Sequence, residues 1–139
     1  MKKIFTFCFV ALTAMMAQAQ VAVTFNVDMT GLTVDPNGVH IAGNFNDVNY
    51  DGTAENAAYV NWNPSAIALA DQGNGIWSVT MNLIPERYEF KFINGNDWPF
   101  TEDVPQACQV EVNGNDNRYW SISGLNVSRR KYGFWSPKL

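Results

Sequence analysis

Apolar and polar side chains alternate at every second residue through much of this chain, and that rhythm limits the fold more than any other feature. In "VAVTFNVDM", Val21, Val23, Phe25, Val27 and Met29 share one face. "GVHIAGNF" aligns Val39, Ile41 and Phe45, and "GIWSVTMNL" aligns Trp77, Val79, Met81 and Leu83. "RYEFKFIN" sends Tyr88, Phe90 and Phe92 inward and Glu89 and Lys91 outward. "CQVEV" and "RYWSIS" repeat the pattern, and "SAIALA" is a weaker short strand. Successive strand side chains point to opposite faces, so each segment reads as a half-buried strand. No stretch carries a convincing helical period. In "RYWSIS" the rhythm puts Tyr119 and Trp120 on opposite faces without saying which of them turns inward.

Turn clusters punctuate these strands: "DPNG" at 35–38, "DQGNG" at 71–75, "NGND" at 94–97 and "NGNDN" at 113–117. Asn and Gly tolerate positive φ, and Pro presets a turn, so each cluster suits a hairpin or loop. The expected fold is all-β, an antiparallel immunoglobulin-like β-sandwich of about seven to eight strands. The Cys…Trp…Cys hallmark of antibody domains is missing, so the likeness is one of architecture. After Gly124 the alternation decays. The sandwich is expected over 20–123, and 124–139 reads as a C-terminal tail, whether disordered, carrying a strand, or opening a further segment.

Residues 1–19 stand apart. Lys2 and Lys3 precede an apolar run too short to span a bilayer, and Ala17-Gln18-Ala19 has the small-x-small pattern of a cleavage site. This reads as a signal peptide, and the mature protein is expected to be exported to periplasm, outer surface or medium. Nothing else is apolar enough for a membrane span. Without Cys8, Cys108 stands alone and is expected to be a small buried hydrophobe. The net charge of −4 becomes −6 once Lys2 and Lys3 are removed. Between Gln20 and Ser128 the cations are Arg87, Lys91 and Arg118, against all 13 acidic residues, which disfavours nucleic acid. Arg118 lies close to Asp116 and reads as half of a surface ion pair.

With the strands placed, the chain resembles the starch- and glycogen-binding type of carbohydrate-binding module from about Val23 to Ile122. The likeness rests on "VTFNVDM", "GVHIAGNF", "NWNPSAIALADQGNGIWSVTMNL", "RYEFKFINGNDW" and a final "NR". It implies binding of an α-glucan-like polysaccharide, in which sugar faces pack on indoles while polar groups meet the hydroxyls. By resemblance Trp98 is one platform, and Lys91 points to the same surface. The second platform in the family follows "G-x-F-N" directly; here "DVNYDGTAENAAYV" intervenes, which makes Trp62 the displaced candidate. Asn115 and Asn117 lie where the family supplies polar contacts. Trp77, on an apolar strand face, reads as core.

The intervening segment begins as D-x-N-x-D-G. Calcium loops gather hard oxygens around a sharp Gly turn, and Asp47, Asn49, Asp51, Thr53 and Glu55 occupy positions that could supply them. Ala58 stands where a bidentate Glu would complete the shell, and this incomplete ligand set leaves a polar loop rich in Asx turns and holding no ion as the other reading. Two functions follow. One is a secreted, noncatalytic sugar-binding module. The other is a structural or interaction module with a calcium-stiffened loop and a neighbouring protein domain as partner. The chain shows no Ser/His/Asp spacing, no zinc-ligand cluster and no Gly-rich phosphate loop. A sandwich this small seldom offers the cleft that paired glycosidase carboxylates flank, so it reads as noncatalytic.

Overall fold

The computed structural model describes residues 19–110, 116–123 and 130–133, the last of these as backbone only. The leader through residue 18, most of the tail, Asn115 and the end of "CQVEV" lie outside the described residues. The strands are β1 (Val21–Asp28), β2 (Val39–Gly43), β3 (Ala70–Asp71), β4 (Ile76–Leu83), β5 (Arg87–Asn94), β6 (Arg118–Ser121) and β7 (Arg130–Gly133). They form two sheets, in the orders β3-β4-β1-β7 and β2-β5-β6. The chain is an all-β sandwich, and no helix among the described residues is long and apolar enough to cross a membrane.

The alternating residues build the core as their spacing dictates. Phe25 of β1 stands at the centre, with the rings of Phe45, Phe90 and Trp120 at 5.7, 5.1 and 5.5 Å, each edge-on. Offset and edge-on ring pairs are the favoured aromatic geometries. Val23, Val27, Met81, Leu83, Tyr88 and Phe92 complete the buried layer. Trp77 packs against this cluster while only partly buried. Trp120 faces in and Tyr119 is exposed, which decides the strand face that alternation left open. Two of the turn clusters form with Asp caps: Asp35 accepts from the Asn37 N–H at 2.8 Å, and Asp71 accepts from the Gly73 N–H at 2.8 Å.

Of the alternatives open for the tail, the one carrying a strand is met: β7 pairs parallel with β1, with Phe25 opposite Arg130. Backbone pairing does not require side-chain alternation, and "RKYG" has none. Other expectations change. "SAIALA" is a strand only at its end. Its backbone first bonds β2 (Ile41 N–H to Ile67, Leu69 N–H to Val39) and then joins β4 in the other sheet as β3, so it crosses between layers. "CQVEV" does not begin as a strand: Gln106–Cys108 form a 3-10 turn after Pro105, and this places Cys108 at the surface, not in the core. Arg118 is buried and pairs with Glu102, whereas Asp116 pairs with Lys91. The expected surface pair is therefore replaced by two others.

Candidate functional site

The segment 47–60 leaves the sandwich after β2 and returns to nearly the same point. The Asn61 carboxamide oxygen accepts from the Asn46 and Asp47 N–H groups at 2.6 and 3.3 Å, and the Asn46 amide donates to the Tyr59 carbonyl at 2.8 Å. One step further out, the Trp62 N–H donates to the Gly43 carbonyl at 2.9 Å. The ends are thus zipped together, as in a compact surface loop packed by its own side chains. The loop is also rooted in the core. Val48 and Asn56 are buried, and the Asn56 amide donates to the Tyr88 hydroxyl at 3.0 Å. This closure delivers Trp62 to the end of β2 despite the inserted residues. A side chain at Gly43 would run into the Glu89 carbonyl and Phe90, so the strands there can approach only with glycine.

Trp98 arrives from the other side. β5 ends at Asn94, and a turn leads to the 3-10 segment Trp98–Phe100, capped by Asp97, whose carboxylate accepts the Trp98 N–H at 2.8 Å. Thr101 then bridges back to Ile93. Trp98 is 42% exposed. Between the two indoles lies a cleft of about 400 Å³ lined by Tyr50, Trp62, Glu89, Lys91, Trp98, Thr101 and Asn117. The structure therefore brings Trp62, Trp98, Lys91 and Asn117 to one surface. Tyr50, Glu89 and Thr101 are additions. Glu89 shares the outward face of β5 with Lys91, a signal present in the alternation; Tyr50 is one of two aromatics in the insertion, with Tyr59.

The polar members are already partnered with one another. Lys91 Nζ lies 2.7 Å from Asp116, and the Asn117 amide donates to Glu89 at 3.3 Å. An ammonium has three donors, so Lys91 keeps capacity for a ligand hydroxyl. Tyr50 is 59% exposed, and a side-chain hydrogen bond joins it to Trp62. Indole N–H is only a donor, so the Tyr50 oxygen accepts. Desolvation raises the Tyr50 hydroxyl above its ordinary pKa, against the lowering effect of that bond. Beside the cleft, where β6 stops short of Phe92, Glu102 takes over the sheet edge. Its N–H donates to the Phe92 carbonyl at 3.0 Å, and its carboxylate accepts the Phe92 N–H at 2.9 Å and a two-pronged Arg118 contact. Burial pushes the Glu102 carboxyl up, while Arg118 pulls it down.

Tyr50 belongs to the D-x-N-x-D-G loop itself. Asp47, Asp51 and Glu55 each offer an oxygen, and these lie within 4.8 Å of one another. Much of the set is engaged in holding the loop. Asp47 accepts the Gly52 N–H, Asp51 accepts the Thr53 N–H, and Glu55 accepts the Val48 N–H and the Asn49 amide. Asn49 thus points a nitrogen at Glu55, while the second oxygen of Asp47 is buried without a hydrogen-bond partner.

No family model and no curated protein matches the chain. Among solved structures, a glycoside hydrolase family 15 glucoamylase from Hypocrea jecorina is similar, with 25% identity and a TM-score of 0.52. The likeness covers 85% of this chain and 18% of that one, so the chain spans under a fifth of the glucoamylase it resembles.

Proposed function

We propose that this is an exported, noncatalytic carbohydrate-binding module that holds an α-glucan-like chain against Trp62 and Trp98. The observation that carries the reading is the cleft itself: two indoles from separate loops, with Lys91 and Asn117 between them. Indole faces bury the CH surface of a pyranose, and amide and ammonium donors meet its hydroxyls. The likeness to part of a glycoside hydrolase supports a saccharide as ligand.

The test is retention of the purified domain on insoluble starch and other glucans, with and without chelator. Retention on starch, lost in Trp62→Ala or Trp98→Ala, is the expected result. Passage of the folded wild type through every polysaccharide would sink the reading. A second role, calcium held by the 47–55 loop, is favoured by the convergent carboxylates and the unpartnered Asp47 oxygen. Hard oxygen donors suit calcium, and a ligand bound only by the native state must raise the melting temperature. A melting temperature identical in excess calcium and in chelator would end that proposal.

A further inference from the structure

Three described residues other than glycine adopt positive φ: Tyr50 at 58°, Trp62 at 49° and Asn74 at 52°. Asn74 lies in the 71–75 turn, and Asn visits this region readily. Tyr50 and Trp62 have no such licence. A bulky side chain in the left-handed region is a genuine outlier, and such strain persists only where the surroundings over-determine it. Here they do. Trp62 is fixed by its N–H to Gly43 and by the Asn61 contacts beside it. Tyr50 sits in a loop whose carboxylates all turn inward onto its own backbone. Both strained residues line one cleft, and the hydrogen bond from the Trp62 indole to the Tyr50 hydroxyl links them. Yet the Tyr50 ring stays more than half exposed, which core packing does not explain.

Resting on the saccharide reading of the same cleft, we infer that Tyr50 is a third aromatic wall, carried by the 47–60 insertion, that selects extended glucan chains over single sugars. Trp98, Trp62 and Tyr50 line the same cleft, so a chain of several rings can meet more aromatic surface there than one sugar does. A cleft of about 400 Å³ falls in the range that takes ligands of several rings. Tyr50 also meets Trp62 through the hydrogen bond to its indole N–H.

Titration calorimetry with glucose, maltotriose and maltoheptaose separates these roles in wild type, Tyr50→Ala, Tyr50→Phe and Trp98→Ala. Wild-type affinity is expected to rise with chain length. Tyr50→Ala loses roughly tenfold for maltoheptaose, the scale of one aromatic face, and flattens the length dependence. Tyr50→Phe keeps the wall but frees the indole N–H. It loses less affinity, and its Trp emission on binding differs from wild type. Melting temperatures near wild type show that the variants are folded, as an exposed side chain allows. Wild-type affinity for maltoheptaose in Tyr50→Ala, with loss in Trp98→Ala, overturns the inference and leaves the saccharide reading standing. Failure of the wild type to bind any of the three sugars overturns both.

Discussion

Tyr88 holds its hydroxyl in the core, donating to the Ile84 carbonyl at 3.0 Å and accepting from the Asn56 amide at 3.0 Å. Burial pushes its pKa up to about 12. The folded value is raised above the unfolded one, so the contribution is fully present below about pH 10 and is lost as pH climbs toward about 12. Wild type should therefore lose stability steeply across that window, and Tyr88→Phe should lose less. At neutral pH the variant should be weaker by about 1–3 kcal/mol, since it strands an amide and a carbonyl. Denaturant melts of both proteins at several pH values check this. The Glu102–Arg118 pair gives a second residue-scale test. Arg118→Met leaves a buried carboxylate without its guanidinium and should cost about 3–5 kcal/mol, whereas Glu102→Leu with Arg118→Met should recover most of it. Equal losses in the single and double variants would contradict this account. Neither partnership was legible in the sequence. Alternation places Tyr88 inward, but Asn56 lies 32 residues away, and Arg118 passes over nearby Asp116 to reach Glu102. Cys108 was misread for a local reason, because a 3-10 turn interrupts the alternation just where it stands.

Among the elements, strands were the most legible and the inserted loop the least. β5 spans Arg87–Asn94, the stretch the alternation marks, because a strand with one buried face writes its period into its own residues. The closure of 47–60 depends on Asn46 meeting Asn61, a contact that no local pattern reports. The D-x-N-x-D-G signature identified the polar loop, but not that its carboxylates accept from the Val48, Gly52 and Thr53 N–H groups of the loop itself. Asn61 is the side chain that holds the base, accepting two backbone N–H groups. Asn61→Ala should cost about 1–3 kcal/mol by leaving those donors unpaired, and it should loosen Trp62. Expected readouts are a lower melting temperature and an altered Trp emission before any ligand is added. Unchanged emission would mean that Trp62 is held by Gly43 alone.

At the scale of the whole molecule, charge divides the glycans that the proposed module could accept. From residue 20 onward the chain carries −6, and the three cations whose side chains are described each have a partner: Lys91 lies beside Asp116, Arg118 pairs with Glu102, and Arg87 sits over the Tyr119 ring at 4.6 Å. A sulfated or uronic polysaccharide would meet net repulsion, which screening relieves only in part. On the proposed reading a neutral glucan meets none, and its affinity would come from aromatic burial and hydrogen bonds to uncharged hydroxyls. Retention on starch should therefore be nearly flat from about 0.05 M to about 0.5 M salt, a change that shortens the screening length roughly threefold. Retention on an anionic polysaccharide should be absent at the low end. Strong binding to the anionic matrix at low salt, released as salt rises, would mean that a cationic surface outside the described residues dominates. The glucan assignment would then lose its electrostatic argument while the cleft geometry remained.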